Sequence, residues 1–489
     1  MWPKGKSGSI SLSVKALALL VLFGAGFAHA QIPHPNPFQH IVLIIQENRT
    51  PDNLFHALLT WPGINPAKYN LSSNGVNSSG QIIALTPEPL GNPYDLSHAH
   101  HAFQQMYDGG KMDGADLITC TGTCPANPQF KYVDNSTHLI DPYLNLAAQY
   151  GWANFMFQTN QGPSTPAHLF LLAGTSAPTK SDDGLGVFLA ETPSAPTGVP
   201  ATGETGCLAP ATEWNWLVNP TGPETKLLND PLGALCFSHD TMATLLDDAG
   251  LTWKYYAAAG TKTVPGGYLL NAPNHIREIC VPDAGYTTCT GTEWANNVDL
   301  VPADVLTDIR NCKLANVSWV TPIYGNSDHP GNASGGPTGG PSWVASIVNS
   351  IGSDTTCEGG KGYWSDTAVI VVWDDWGGWY DHEPPTILKG VQGDYQYGFR
   401  VPMIVVSAYT PKASVNNSRH DFGSILRFIE GVFDIPEGAL KFADARANND
   451  LSAFFNFKAK PRVYQTIPAP LDADFFINDT TPPEPPDDD

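Results

Sequence analysis

With 489 residues and 47 acidic against 25 basic side chains, the chain has a formal charge of −22, which repels nucleic acid and anionic bilayers at long range. An anionic substrate would then need a local positive centre, and a bound metal ion is the simplest one. The length exceeds one small core, yet a single large α/β domain with insertions accommodates it as well as two domains do.

The chain opens as a targeting segment. Lys4, Lys6 and Lys15 precede the apolar run "ALALLVLFGAGFA", and Ala28 to Ala30 offer small residues for cleavage, so residues 1–30 read as a secretory signal with Gln31 as the mature N-terminus. The run falls short of the ~20 apolar residues of a membrane span. Its removal takes three lysines and no acid, leaving −22 − 3 = −25 on the exported chain. A secreted or periplasmic setting also explains the cysteines: all 8 follow the signal, and an even number in an oxidising compartment reads as disulfides. The simplest arrangement joins sequence neighbours, Cys120–Cys124, Cys207–Cys236, Cys280–Cys289 and Cys312–Cys357. A zinc–thiolate site at "CTGTC" is the rival, but no second pair answers it.

Strand-like runs recur along the chain: "HIVLII" (40–45), "LTWKYYAAA" (251–259), "NVSWVTPI" (316–323), "AVIVVW" (368–373) and "PMIVVSAY" (402–409). Helical patterns lie between them, including "AHLFLLAG" (167–174), "TMATLLDDAG" (241–250) and "FGSILRFIEGVF" (422–433). Continuous apolar strands alternating with helices predict an α/β fold with a largely parallel sheet covered on both faces. Residues 191–225, rich in Pro, Thr and Gly, and the Gly-rich stretch 325–342 read as surface insertions. These features predict one main domain over 31–460, then an extension over 461–489 that ends in a disordered acidic tail.

Ligands in open α/β sheets gather beyond the carboxyl ends of the strands. Two of the predicted strands end there in oxygen donors: the first in Glu47 and Asn48, the fourth in Asp374 and Asp375. Such donors suit a divalent ion, and adjacent carboxylates become tolerable when they share one. Thr50 followed by Pro51 is a helix cap with its first helical residue. In "NQGPSTPAHLF", Gly162-Pro163 make a turn, Ser164 or Thr165 caps, and Pro166 opens the helix. A hydroxyl at that place sits where backbone N–H groups attract a phosphate. Gly377 and Gly378 are expected to turn the chain sharply and return Asp381-His382 to the same mouth.

The segments "HIVLIIQENRTPDNLF", "DLSHAHHAFQQMYDGGKMDGADL", "GPSTPAHLFLLAGTS", "SWVTPIYGNSDHPGN", "VVWDDWGGWYDHEPP" and "RVPMIVVSAYTP" resemble, in this order, the bacterial phosphoesterase family of non-specific phospholipases C and secreted acid phosphatases. That family looks like a branch of the alkaline-phosphatase superfold, so the resemblance implies an alkaline-phosphatase-like three-layer α/β/α sandwich with loop insertions. It also implies a divalent metal ion held by Glu47, Asn48, Asp374 and Asp375, with Ser164 rather than Thr165 as nucleophile. His98, His329 and His382 fall on the family's phosphate-binding or proton-donating histidines; His100, His101 and His168 are left outside the expected site. Two departures bear on substrate. Pro166-Ala167-His168 stands where the phospholipases C commonly read Pro-Asn-Arg, closer to the acid phosphatases, and Thr50-Pro51 replaces a usual Ser-Phe.

The expected function is therefore that of a secreted metal-dependent phosphoesterase acting through a phosphoserine, on a small phosphate ester or a phospholipid. The acidic surface and the Pro-Ala-His text favour phosphatase-like breadth, with no nucleic-acid partner and no stable membrane insertion. The alternative is an inactive exported protein that binds a phosphorylated ligand in the same cleft. Turnover of a chromogenic phosphate ester with and without chelator separates the two.

Overall fold

In a computed structural model, which describes residues 1, 36–191, 205–209, 214–219, 225–228, 235–259, 270–331 and 336–481, eight strands form the central sheet. They are β1 (His40–Gln46), β2 (Gly151–Met156), β3 (Trp253–Tyr256), β4 (Val298–Asp299), β5 (Val317–Val320), β6 (Thr367–Trp373), β7 (Met403–Val406) and β8 (Ser414–His420). Their spatial order is β4-β3-β5-β1-β6-β7-β2-β8. Only β7 opposes its neighbours; the other pairings are parallel. The expected signal, most of the Pro/Thr/Gly-rich stretch and the last residues of the acidic tail lie outside the described residues.

Both β1 and β6 are buried along their whole length, as a continuous β-branched and apolar run requires when helices cover both faces of a sheet. They pair in register from His40↔Thr367 to Gln46↔Trp373. Each buried Val, Leu or Ile there contributes roughly 1.5–3 kcal/mol of transfer free energy.

Seven helices matter for the site: α1 (Pro51–Leu54), α2 (His100–Tyr107), α3 (Asp141–Gln149), α4 (Ser164–Ala173), α5 (Met242–Asp248), α6 (Gly340–Ser353) and α7 (Phe422–Val432). Leu43 lies beside Trp319 and Ile370, and Trp319 Nε1 donates to Leu171 O of α4 at 3.0 Å, so that face carries α4 with α5 and α7 packed on it. Trp373, three positions beyond Ile370, points to the opposite face by strand alternation. There it meets Tyr143 of α3 at 5.2 Å, and α3 packs on α6. The result is a three-layer α/β/α sandwich.

Several expectations change. Strands β2 and β8 give no apolar run in the sequence: β2 contains Asn154, and β8 is mostly polar with a register shift between Asn416 and Arg419. The Gly-rich stretch ends earlier than 342, because Gly340-Pro341 already open α6. The 191–225 insertion is not all loop; Trp214–Val218 pairs antiparallel with Phe188–Leu189 and with Thr225–Leu228. The described part of the extension, residues 461–481, is docked: Asn349 Nδ2 donates to Ile467 O at 2.9 Å, and Phe476 packs on Trp343 at 5.3 Å. All four disulfides join sequence neighbours, as expected. No helix among the described residues is long and apolar enough to cross a membrane.

Candidate active site

The register of β1 against β6 brings their tips together. Asp374 N donates to Gln46 O at 2.9 Å, so the ladder runs one residue past the strands. Asn48 then turns with φ +58°, a left-handed conformation that Asn tolerates better than most residues, and its N–H donates to Asp374 Oδ1 at 3.1 Å. The N–H of Asp375 reaches the same oxygen at 2.7 Å. Two backbone donors thus hold Oδ1 and leave Oδ2 to face the interior. Gly377 N donates to Asp375 Oδ1 at 2.7 Å. The turn beyond has φ +60° at Gly377 and +72° at Gly378, and a Cβ on Gly377 would lie 2.3 Å from Asn48 O. Glycine is therefore required there by both conformation and space.

Helix α4 delivers the hydroxyl. Pro163 is its N-cap and Ser164 its first residue, with no side-chain cap, so the expected cap at Ser164 or Thr165 and the opening at Pro166 are both displaced. Pro166 falls inside the first turn, where its missing N–H has no intrahelical acceptor to lose. Freed from capping, Ser164 Oγ lies 3.0 Å from Asp375 Oδ2 and 3.3 Å from Asn48 Oδ1. Thr165 Oγ1 is buried without a hydrogen bond among the described residues.

The histidines divide. His98 Nδ1 donates to Leu96 O at 2.9 Å, which turns Nε2 to the Asn48 amide at 3.4 Å. His329 Nδ1 donates to Pro330 O at 2.6 Å, and its ring centre is 6.3 Å from that of His98. His98 also borders a cleft of about 410 Å³ that Pro163, Glu191, Trp214 and Trp216 help to line. His382 goes elsewhere: its Nδ1 meets Asp52 Oδ2 at 2.6 Å and its Nε2 meets Asn70 Oδ1 at 3.0 Å. Burial lowers its pKa, but Asp52 and Asp381 outweigh that and raise it. Asp381, expected at the mouth with it, is gripped by Arg400 Nε and Nη2 at 2.8 and 2.9 Å. A doubly held imidazole beside a bidentate ion pair makes an ion network of its own, in which both ring nitrogens of His382 are engaged. His100 supports the neighbouring loop through Gln161 O at 2.7 Å, and His101 is exposed.

The group left out of the expected site is His168. Its Nε2 lies 3.7 Å from Glu47 Oε1 and 3.6 Å from Asp374 Oδ2, all three side chains being fully buried. The signal was available: residues i and i+4 share a helix face, so if Ser164 meets the acids, His168 lies one turn deeper on the same side. Burial would lower the His168 pKa; Tyr255 and Asp374 outweigh it and push it up to about 9. Burial likewise works to raise Asp374, yet His168, Ser164 and the Asn48 N–H hold its carboxyl below the usual range.

These residues fit a cation. Glu47, Asp374 and Asp375 are three fully buried carboxyl groups, and the facing atoms His168 Nε2 and Asp374 Oδ2 accept or donate no hydrogen bond among the described residues. One ligand atom each from Glu47, His168 and Asp374 lies within 4.8 Å of the others. A cation shared by these groups would neutralise that buried negative charge.

A sequence model of the Phosphoesterase family matches residues 38–436. Phospholipase C A of Mycobacterium tuberculosis is 26% identical over 459 residues, spanning 88% of this chain and 79% of its own length. Hemolytic phospholipase C of Pseudomonas aeruginosa is 23% identical over 462 residues, spanning 86% of this chain and 56% of its own. Among solved structures, a protein in the alkaline phosphatase superfamily from Vibrio parahaemolyticus is a distant likeness: TM-score 0.31, 10% identity, covering 76% of this chain and 71% of that one.

Proposed function

The chain belongs to the phosphoesterase family and is a hydrolase of phosphoric ester bonds; from that premise we propose a metal-dependent enzyme that works through a phosphoserine at Ser164. The observation that carries the reading is the 3.0 Å contact of Ser164 Oγ with Asp375 Oδ2 in the first turn of α4. A divalent ion bound by Glu47, Asn48, Asp374 and Asp375 would act as a Lewis acid on the phosphoryl group and favour the ionised serine.

The chain's own groups do the rest. Ser164 Oγ bonds to phosphorus as the bond to the leaving oxygen breaks, and its proton passes first to Asp375 Oδ2. The outward-pointing N–H groups of the first turn of α4 stabilise the phosphoryl oxygens. His98 Nε2, beside Asn48, orients the same group. His329, protonated on Nε2 while Nδ1–H stays on Pro330 O, protonates the departing alcohol. Water then cleaves the Ser164–phosphorus ester, releasing the headgroup phosphomonoester from a diester, or phosphate from a monoester. His382 keeps the Asp52–Arg400 network in place.

The relatives named phospholipase C favour a phospholipid headgroup ester, and the cleft beside His98 is where the headgroup would lie. The secretory reading of residues 1–30, with export to the periplasm or outside, is supported by the four disulfides. A catalytic domain over 31–460 followed by an extension over 461–489, of which residues 461–481 are described and dock on α6, is the organisation we propose. Hydrolysis of p-nitrophenylphosphorylcholine and of p-nitrophenyl phosphate, each with and without chelator, tests the function. Faster diester turnover that the chelator abolishes is expected. Monoester preference would overturn the substrate class, and full activity in chelator would overturn the metal.

A further inference from the structure

We propose that His168 is itself a ligand of the ion, through Nε2, and that the centre is a mixed nitrogen–oxygen site for a borderline divalent ion such as Zn²⁺, Co²⁺ or Mn²⁺ rather than for Ca²⁺ or Mg²⁺. The inference rests on the reading that an ion binds at the strand tips, and adds a ligand that the sequence pattern left out.

Hydrogen bonding sets the orientation of the ring. Tyr255 has one hydroxyl proton, and it goes to Leu270 O at 3.0 Å. Its oxygen can then only accept from His168 Nδ1, 3.1 Å away. Nδ1 carries the proton, and Nε2 is the nitrogen turned to Glu47 and Asp374. A metal-bound histidine is held in this way, by an outer partner on its other nitrogen.

The distances discriminate between two roles. An imidazolium serving only as counter-charge would close on one carboxylate to roughly 2.7–2.9 Å, because a charge-assisted hydrogen bond is short. His168 Nε2 instead stands off both, at 3.7 Å from Glu47 and 3.6 Å from Asp374. Ligands about 2.0–2.2 Å from one ion at a tetrahedral angle lie roughly 3.3–3.6 Å apart. Asp374 at 3.6 Å stands at the top of that range and Glu47 at 3.7 Å just beyond it, a spacing that an ion between the three would close by about 0.1–0.3 Å. Asp374 offers one oxygen, since its other accepts two backbone N–H groups. An imidazole with a monodentate carboxylate is a donor set for first-row transition ions, whereas Ca²⁺ and Mg²⁺ take oxygen.

Helix α4 then has two jobs on one face. Ser164 and His168, one turn apart and fully buried, are fixed to each other by the backbone, so a ligand at His168 would fix how Ser164 sits against the ion.

The test is metal binding by the full chain, stripped with chelator and titrated with Zn²⁺, Co²⁺ and Mg²⁺. X-ray absorption of the Co²⁺ form counts nitrogen ligands. Wild type is expected to bind one Co²⁺ with a visible ligand-field band and one imidazole. His168→Gln should lose Zn²⁺ and Co²⁺ affinity by more than about 100-fold, and Tyr255→Phe, which removes only the outer partner, by about 10–100-fold. If His168→Gln does not fold, the nitrogen count on wild type decides. A cobalt centre with oxygen ligands only, or a folded His168→Gln with wild-type affinity, overturns the assignment of His168 and leaves the strand-tip ion standing. Wild type that binds no divalent ion overturns both.

Discussion

Replacing Gly377 by alanine tests whether the strand tips are set by backbone packing. Two penalties follow from the structure. Its φ of +60° is a left-handed conformation, costing an L-residue about 1–2 kcal/mol. The added Cβ would also lie 2.3 Å from Asn48 O and 2.8 Å from Asn48 Cβ, against ordinary contacts of about 3.5 Å. Backbone atoms cannot rotate aside, so one tip must yield by about 1 Å, with an overpacking cost of about 1–3 kcal/mol. The sum is about 2–5 kcal/mol. Gly390 is the internal control: φ is +80°, but nothing lies within 4 Å of its Cβ, so Gly390→Ala should show only the conformational cost. Denaturant unfolding of the metal-free proteins measures both variants. Because a 1 Å displacement at reacting groups costs roughly 100-fold in rate, Gly377→Ala should also lose turnover on that scale while Gly390→Ala keeps it. Equal stability and equal activity in the two variants would refute the claim that Asn48 and Asp374–Asp375 are positioned by that close approach.

Ser164→Ala should lower turnover by several orders of magnitude and Thr165→Ala far less, and wild type acid-quenched with p-nitrophenyl phosphate should show phosphate on Ser164 by mass spectrometry. Phosphate on Thr165, or near-normal turnover without the Ser164 hydroxyl, would show that the nucleophile is misassigned. His420 tests proton linkage: complete burial pushes its pKa down to about 3. The folded chain keeps it neutral while the unfolded chain gains a proton below about 6.5, so stability falls as pH drops from 6.5 towards 3. Between pH 7 and 4.5 wild type should lose about 2.5 kcal/mol more than His420→Leu in denaturant unfolding. Identical pH slopes in the two proteins would count against a neutral buried His420.

Local physical chemistry made much of this protein readable from its residues. Unbroken β-branched runs produced β1 and β6 because only strands covered on both faces bury every position. Thr50-Pro51 started α1 because a β-region cap followed by a fixed φ suits a first turn, and Thr50 Oγ1 does accept from Asn53 N at 3.2 Å. An even number of cysteines after a signal-like segment anticipated disulfides, whereas their pairing between sequence neighbours was only the simplest arrangement until the fold brought each pair together. What needed the tertiary structure was partnership between distant residues. Asn48 and Asp374, 326 residues apart, meet only because β1 and β6 pair in one register, and strand periodicity carries no information about which strands adjoin. His382 looked equivalent to His98 in the chain, but Asp52 and the Asp381–Arg400 pair draw it into another network. Ser164 lost its expected capping role to Pro163, one residue earlier. His168 was passed over because the direction of a helix face depends on how the helix docks; once α4 lies on the sheet, the turn below Ser164 faces Glu47 and Asp374.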